Sequence, residues 1–211
     1  MDKLYVYLAR ALGDMCEPLV PAARDAAVKA IKNETARRES YHAWRLLESA
    51  LEHSLGISAA EASFRRSDSG KWVSDKCFVS LSHSFGIIAV AVSHSPVGVD
   101  VQAMKSLCSS SFAERILTER EYNEYSALDM EDKDGYLMAC WSSKEALFKT
   151  EDSEAFVPSR YDSADARVAR VITELCGEEI TVAVAADRVI TSASDVQSVT
   201  VGGYECVRIC I

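Results

Sequence analysis

The spacing of apolar and polar positions changes several times along this chain, and each change marks a predicted element. Residues 4–8 mix aromatic and branched apolar side chains, which predicts an opening strand, and a turn-rich stretch follows around Gly13 to Pro21. Residues 22–55 contain neither Gly nor Pro, and Trp44, Leu47, Leu51 and Leu55 recur at spacings of three and four. This pattern predicts a helical region with one buried face, ended by Gly56. After the turn chemistry of Ser67-Asp68-Ser69-Gly70 come three short apolar runs at 77–81, 87–92 and 97–101, whose close succession predicts an antiparallel meander. The longest notable apolar run, 85–92, is far too short for a membrane span and reads as a buried strand.

In the second half, Thr118-Glu119-Arg120-Glu121 has the form of a capping box, predicting a helix through Tyr125. A longer helix is predicted over about 136–149, and strands return at 180–185, 196–201 and 204–211. Each half then runs strand, helices, strands: an α+β protein divided into 1–96 and 97–211, with no visible sequence repeat. The acidic, polar stretch 150–163 reads equally as a mobile loop or an ordered excursion.

With 211 residues and 48% hydrophobic content the chain can bury a full core without disulfides or metal. Its net charge of -9 argues against a nucleic-acid binder, so an anionic ligand must meet a local basic patch. Arg24, Lys29, Lys32, Arg37, Arg38 and Arg45 gather in one such stretch, although a solvated helix face looks much the same. The seven cysteines are odd in number and scattered, with no Cys-x-x-Cys pair, and read as reduced core thiols of a cytoplasmic protein; a zinc site at Cys206 and Cys210 lacks a second pair. The first ten residues are too interrupted for a signal peptide.

Candidate chemistry sits in three segments. In Gly98-Val99-Asp100-Val101-Gln102, strand alternation turns Asp100 and Gln102 to one face, offering a carboxylate and a neutral amide oxygen. In Trp141-Ser142-Ser143-Lys144-Glu145-Ala146-Leu147-Phe148-Lys149, the spacing of four puts Trp141, Glu145 and Lys149 on one helix face with Lys144 beside it. All the oxygen donors are hard, which suits Mg²⁺, and Lys144 and Lys149 bring the positive charge a phosphorylated substrate needs. Leu81-Ser82-His83-Ser84 adds a hydroxyl and an imidazole where a phosphate could be gripped. Taken singly, each has a plainer reading: a turn aspartate, a solvated helix face, a polar turn.

Together the three segments, in this order and spacing, resemble the surfactin-type 4′-phosphopantetheinyl transferases, and the likeness extends to Gly70-Lys71 and Phe112-Ala113-Glu114-Arg115-Ile116, fading beyond Lys149. The resemblance implies two pseudo-symmetric halves, each with a small, mostly antiparallel sheet packed on helices, and a site between them in a monomer. It implies transfer of the phosphopantetheine arm of coenzyme A to a serine of an acyl or peptidyl carrier protein, with Mg²⁺. Asp100 and Glu145 would hold the metal, with Gln102 joining directly or through water. Ser82, His83 and Lys149 would contact the pyrophosphate, Lys71 the nucleotide, Lys29 and Lys32 the 3′-phosphate, and Arg45 would lie beside the nucleotide. Glu145 would also serve as base, directly or through a water. On this reading alanine at Asp100 or Glu145 abolishes transfer and leaves the fold intact. Departures from the family pattern are Gln102 in place of a second acid, Trp72 after Gly-Lys, and Thr150-Glu151-Asp152-Ser153-Glu154 in place of a glycine-rich stretch. A non-catalytic coenzyme A binding protein of the same fold is the alternative, favoured by Gln102.

Overall fold

In the computed structural model residues 3–103, 110–151, 153, 155–190 and 195–211 are described. The first strand, β1 (Tyr5–Arg10), leads through an extended stretch to α1 (Ala22–Lys29) and α2 (Glu34–Leu55). The single helical region expected over 22–55 is therefore two helices. The break falls at Asn33, whose side-chain oxygen accepts the Ala36 N–H at 2.9 Å and starts α2 afresh. Gly56, with φ of 67°, ends α2 in the left-handed conformation that a residue without Cβ adopts cheaply. A short α3 (Ala59–Ala62), a small ribbon of β2 (Arg65–Arg66) and β3 (Trp72–Val73), and the strands β4 (Phe78–Ser84) and β5 (Ile87–Ser93) complete the first half.

The next strand, β6 (Val97–Ala103), leaves the sheet it was expected to join. Instead of continuing a meander beside β5, it pairs antiparallel with β8 (Glu178–Ala186), which pairs with β7 (Val168–Leu175). Between them come α4 (Ser110–Ile116), α5 (Glu119–Ala127) and α6 (Met130–Thr150), then a 3₁₀ turn, Pro158–Arg160. The final hairpin, β9 (Asp195–Val201) and β10 (Tyr204–Cys210), returns to the first half: β10 pairs with β1, giving the order β4-β5-β1-β10-β9. The terminal strands, assigned by sequence to the 97–211 half, thus complete the first sheet. Pairing across the whole length of the chain leaves no trace in local spacing.

The layers run helix, sheet, sheet, helix. On one face of the five-stranded sheet, Trp44, Leu47 and Leu51 of α2 pack on Tyr7, Ile88, Val90 and Val92. On the other, Val6, Leu8, Ala89 and Ala91 meet Val99, Val101, Val182 and Val184 of the three-stranded sheet. β5 is covered on both faces, which explains its unbroken apolar run. α6 lies on the outer face of the second sheet, with Ala146 and Leu147 on Ala183 and Ala185. The capping box at Thr118 forms as expected, its hydroxyl accepting from the Glu121 N–H while the Glu121 carboxylate accepts from the Thr118 N–H.

α6 approaches β6 so closely that only glycine fits at position 98: a Cβ there would stand 1.9 Å from the Ala146 carbonyl oxygen. Gly98→Ala is expected to destabilise the protein by about 1–3 kcal/mol, through forced displacement of α6 from β6. Urea unfolding reads this directly; an unchanged midpoint would mean that the helix is free to shift.

Candidate active site

β4 and β6 run side by side where the two sheets meet, and serine side chains join them. Ser80 Oγ accepts the Val99 N–H at 3.0 Å and Ser82 Oγ accepts the Val101 N–H at 3.3 Å. These bonds satisfy backbone groups on the edge of β6 away from β8. Ser82 donates its own proton to Asp100 Oδ1 at 2.8 Å.

Asp100 is 1% exposed and accepts two further bonds, from Lys149 Nζ to Oδ1 at 2.8 Å and from Gln102 Nε2 to Oδ2 at 2.9 Å. A buried carboxylate with three donors is well satisfied. Lys149 Nζ also reaches the Val99 carbonyl at 3.1 Å and Glu145 Oε2 at 3.4 Å, so one ammonium bridges both carboxylates. Burial, and then the neighbouring Asp100 charge, push Glu145 up to about 7, with Lys149 acting in the opposite sense. Two carboxylates with one ammonium between them leave a net negative charge.

Among the described residues no group of three or more His, Cys, Asp or Glu side chains could hold a metal ion. The donor set is two carboxylates and the Gln102 amide, whose oxygen remains available while its N–H₂ faces Asp100. Hard oxygens around uncompensated negative charge fit a small divalent cation. A cavity of about 390 Å³ adjoins this site, walled by Lys71, Trp72, Leu81, Phe148 and Lys149. Lys71 Nζ donates to the Lys149 carbonyl at 2.5 Å and the Glu151 carbonyl at 3.3 Å, so this cation caps the C-terminal end of α6.

Of the residues expected from sequence, Ser82, Asp100, Gln102, Glu145 and Lys149 come together, with Lys71 on the adjoining wall. His83 follows Ser82 but points to the α2 side of the sheet, where its Nδ1 pairs with Glu39 Oε2 at 2.8 Å. Arg45 is engaged by Glu17 and Glu48 beside a separate cavity of about 540 Å³, and Lys29 pairs with Asp25. Lys32 is exposed. Neither Arg45, Lys29 nor Lys32 lines the cavity beside Lys149.

Lys144 requires a correction. Far from offering charge to a substrate, it is 0% exposed, with Nζ 2.6 Å from Glu121 Oε2 and 2.7 Å from the Ile116 carbonyl. α6 turns Lys144 inward while the next residue, Glu145, faces the site. Residues 155–161 form an ordered excursion: Phe156 packs on Trp141 and Phe148 with ring centroids 5.3 and 5.1 Å apart, and Tyr161 bonds Glu151.

Sequence reasoning missed Ser80 and Glu39. Ser80 shares the alternation of Ser82 and could have been found from it. Glu39, in a run of charges, carries no local sign of burial.

Comparison with known proteins bears on the same residues. Residues 96–184 match the 4′-phosphopantetheinyl transferase superfamily, a stretch that includes Asp100, Gln102, Glu145 and Lys149. The chain is 29% identical over 116 residues to "4′-phosphopantetheinyl transferase ffp" of Bacillus subtilis, covering 54% of this chain and 51% of that protein. It is 32% identical over 137 residues to a 4′-phosphopantetheinyl transferase of Bacillus subtilis, covering 59% and 60%, and 35% identical over 69 residues to "4′-phosphopantetheinyl transferase psf-1" of Bacillus pumilus, covering 33% and 29%. The matched stretch thus spans between about three tenths and three fifths of these relatives' lengths. The family match over residues 96–184 agrees with the resemblance read from the motifs, and so does the mixed fold of antiparallel sheets packed on helices.

Proposed function

We propose that this chain, similar over residues 96–184 to the 4′-phosphopantetheinyl transferase superfamily, transfers the phosphopantetheine arm of coenzyme A to a serine of an apo carrier protein. The observation that carries the reading is the contact of Asp100 and Glu145 through Lys149 at the wall of a cavity large enough for part of a nucleotide substrate.

In the reaction the carrier serine oxygen forms a new bond to the phosphorus that bears pantetheine. The pyrophosphate P–O bond breaks, and adenosine 3′,5′-bisphosphate leaves with the electron pair. Asp100 and Glu145 would hold Mg²⁺, with Gln102 adding its amide oxygen directly or through water. When bound, Mg²⁺ supplies positive charge against that developing on the leaving phosphate. Lys149 neutralises charge at the same place and is held there by Asp100 and the Val99 carbonyl. Ser82 fixes the Asp100 carboxylate, and Glu145, directly or through a water, takes the serine proton. Lys71 lies at the cavity wall toward the nucleotide. Lys29, Lys32 and Arg45 would contact the nucleotide and 3′-phosphate only after exchanging their present acidic or solvent partners. No helix among the described residues is long and apolar enough to cross a membrane. We take the cytoplasm, where coenzyme A meets apo carriers, as the setting and a monomer as the working form.

The test is intact-protein mass spectrometry of an apo acyl carrier protein incubated with this protein, coenzyme A and Mg²⁺. The expected result is a gain of one phosphopantetheine, lost on adding a chelator. A second reading, a coenzyme A binding protein without turnover, is favoured by one observation: the Gln102 amide donates to an Asp100 oxygen that a metal would use. Calorimetric binding of coenzyme A with no mass gain on several carriers would establish that second reading instead.

A further inference from the structure

β9 ends the five-stranded sheet, and no described strand pairs with its outer side. Its turn into β10 consists of Gly202 and Gly203, with φ of 56° and 82°, and the strands pair outward from Val201 with Tyr204. The pair that closes a two-residue turn is hydrogen bonded, and bonded pairs alternate along an antiparallel ladder. Val201, Val199, Gln197 and Asp195 therefore turn their backbone N–H and C=O groups to β10, whereas Val196, Ser198 and Thr200 turn theirs outward. Among the described residues nothing bonds these outward groups. Exposed edges are ordinarily kept from pairing by charged side chains, Pro or a bulge. β7, the outer strand of the other sheet, carries exposed Arg170 and Glu174. β9 has no such protection from Val196 to Val201, and all seven of its residues pair with β10 in unbroken register.

A groove of about 390 Å³ adjoins this edge, between β9 and the end of β7. Thr200 pairs with Glu205 and Ser198 with Val207, so these four share one sheet face, and all four line the groove. Glu174 lines it from β7. Both carboxylates are exposed and neither is in an ion pair with a described residue, and no Lys, Arg or His lines the groove. The bare edge suits an added strand, and the groove beside it suits positive charge. A second copy of this chain meets only the first condition, because it brings the same two carboxylates and a further net charge of -9. β9 lies at the end of the sheet opposite β4, which carries Ser82, so an occupant there leaves the cavity beside Lys149 open.

We propose that the outer edge of β9 docks an extended basic segment of another protein, which adds as a further strand and sets Lys or Arg at every second position over Glu174 and Glu205. The probe is the peptide acetyl-Lys-Val-Lys-Val-Lys-Thr-amide, with Glu in place of Lys as its control, titrated into the ¹⁵N-labelled full chain. With the Lys peptide alone, the amide signals of Val196, Ser198 and Thr200 are expected to shift and their hydrogen exchange to slow. Those of Gln197 and Val199, already bonded to β10, should keep the protection they have. Ser198→Pro removes one outward N–H and leaves the β10 ladder in place. It should melt near the wild type and bind the Lys peptide about tenfold more weakly. Glu174→Gln combined with Glu205→Gln should lower the affinity and its dependence on salt. Equal binding of the Glu peptide, no shift at millimolar Lys peptide, or undiminished affinity in Ser198→Pro overturns the proposal. A wild-type dimer in sedimentation that Ser198→Pro dissociates overturns it as well, since the occupant is then a second copy. Where Ser198→Pro fails to fold, the exchange of the three outward amides in the wild type and the affinity of the double glutamine variant decide.

Discussion

Glu145→Ala is expected to lower carrier modification about a thousandfold or more while leaving the melting temperature unchanged or higher. The activity loss follows from the role assigned to Glu145: removing one element of charge stabilisation at a transferring phosphate costs roughly 10²–10³, and the loss of a metal ligand adds to that. The stability result follows from electrostatics. Burial and Asp100 raise the Glu145 pKa from an ordinary 4.5 to about 7. An acid that holds its proton more tightly when folded contributes a penalty that grows as pH rises from 4.5 to 7 and persists above. Removing the carboxyl removes the penalty. With a chelator present, the variant should melt at or above the wild type at pH 8, and the difference should vanish below pH 4.5. Undiminished turnover would sink the site assignment, and a clearly lower melting temperature at pH 8 would sink the electrostatic account.

Asp100→Ala is a different experiment, although the two carboxylates look interchangeable in the sequence. Asp100 accepts from Ser82, Gln102 and Lys149 at a position almost closed to water. Its loss strands donors, the Lys149 charge among them, and is expected to reduce stability as well as activity. An intact fold is therefore expected of Glu145→Ala alone.

What the sequence made legible were features with a local period or a local cap. The α2 stripe of Trp44, Leu47 and Leu51, the capping box at Thr118, and the shared face of Asp100 and Gln102 all depend on neighbours within a few residues. What it hid depends on partners far along the chain. β10 joins β1 across nearly the whole sequence, β6 changes sheets after β5, and Glu39 is buried by a hairpin 47 residues away. β7 was missed because Arg170 and Glu174 face outward on an edge strand, which dilutes the apolar signal. At the site, the spacing of Glu145 and Lys149 was readable, but the direction of Lys144 was not. A lysine beside a functional face has two ways to turn, and only the position of Glu121 decides between them.

That decision sets the second large effect: Lys144→Met is expected to destabilise the protein by about 3–5 kcal/mol, the usual cost of breaking a buried ion pair. Methionine fills most of the lysine volume, so little of the loss comes from a cavity. It comes from Glu121, left ionised at 0% exposure, and from the Ile116 carbonyl, left without its donor. Burial opposes the charge on Glu121, but hydrogen bonds from Lys144, Ser163 and the Thr118 backbone outweigh it and hold the carboxyl at about 2, below its ordinary 4.5. The sign is that of a depressed acid: the stabilisation is fully present above pH 4.5 and is lost as pH falls toward 2. Urea unfolding at a series of pH values should show a wild-type advantage that is largest at high pH and narrows as pH falls toward 2, first because protonation relieves the stranded carboxylate in the variant and then because the wild type loses its depressed acid. Adding Glu121→Gln to Lys144→Met should recover part of the loss, since the amide oxygen can still accept a backbone N–H without a buried charge. Because α6 carries Lys144 on its inner side and Glu145 on its outer side, the double variant should regain carrier modification in proportion to its folded fraction. A well-folded double variant that stays inactive would show that Lys144 acts on the substrate after all.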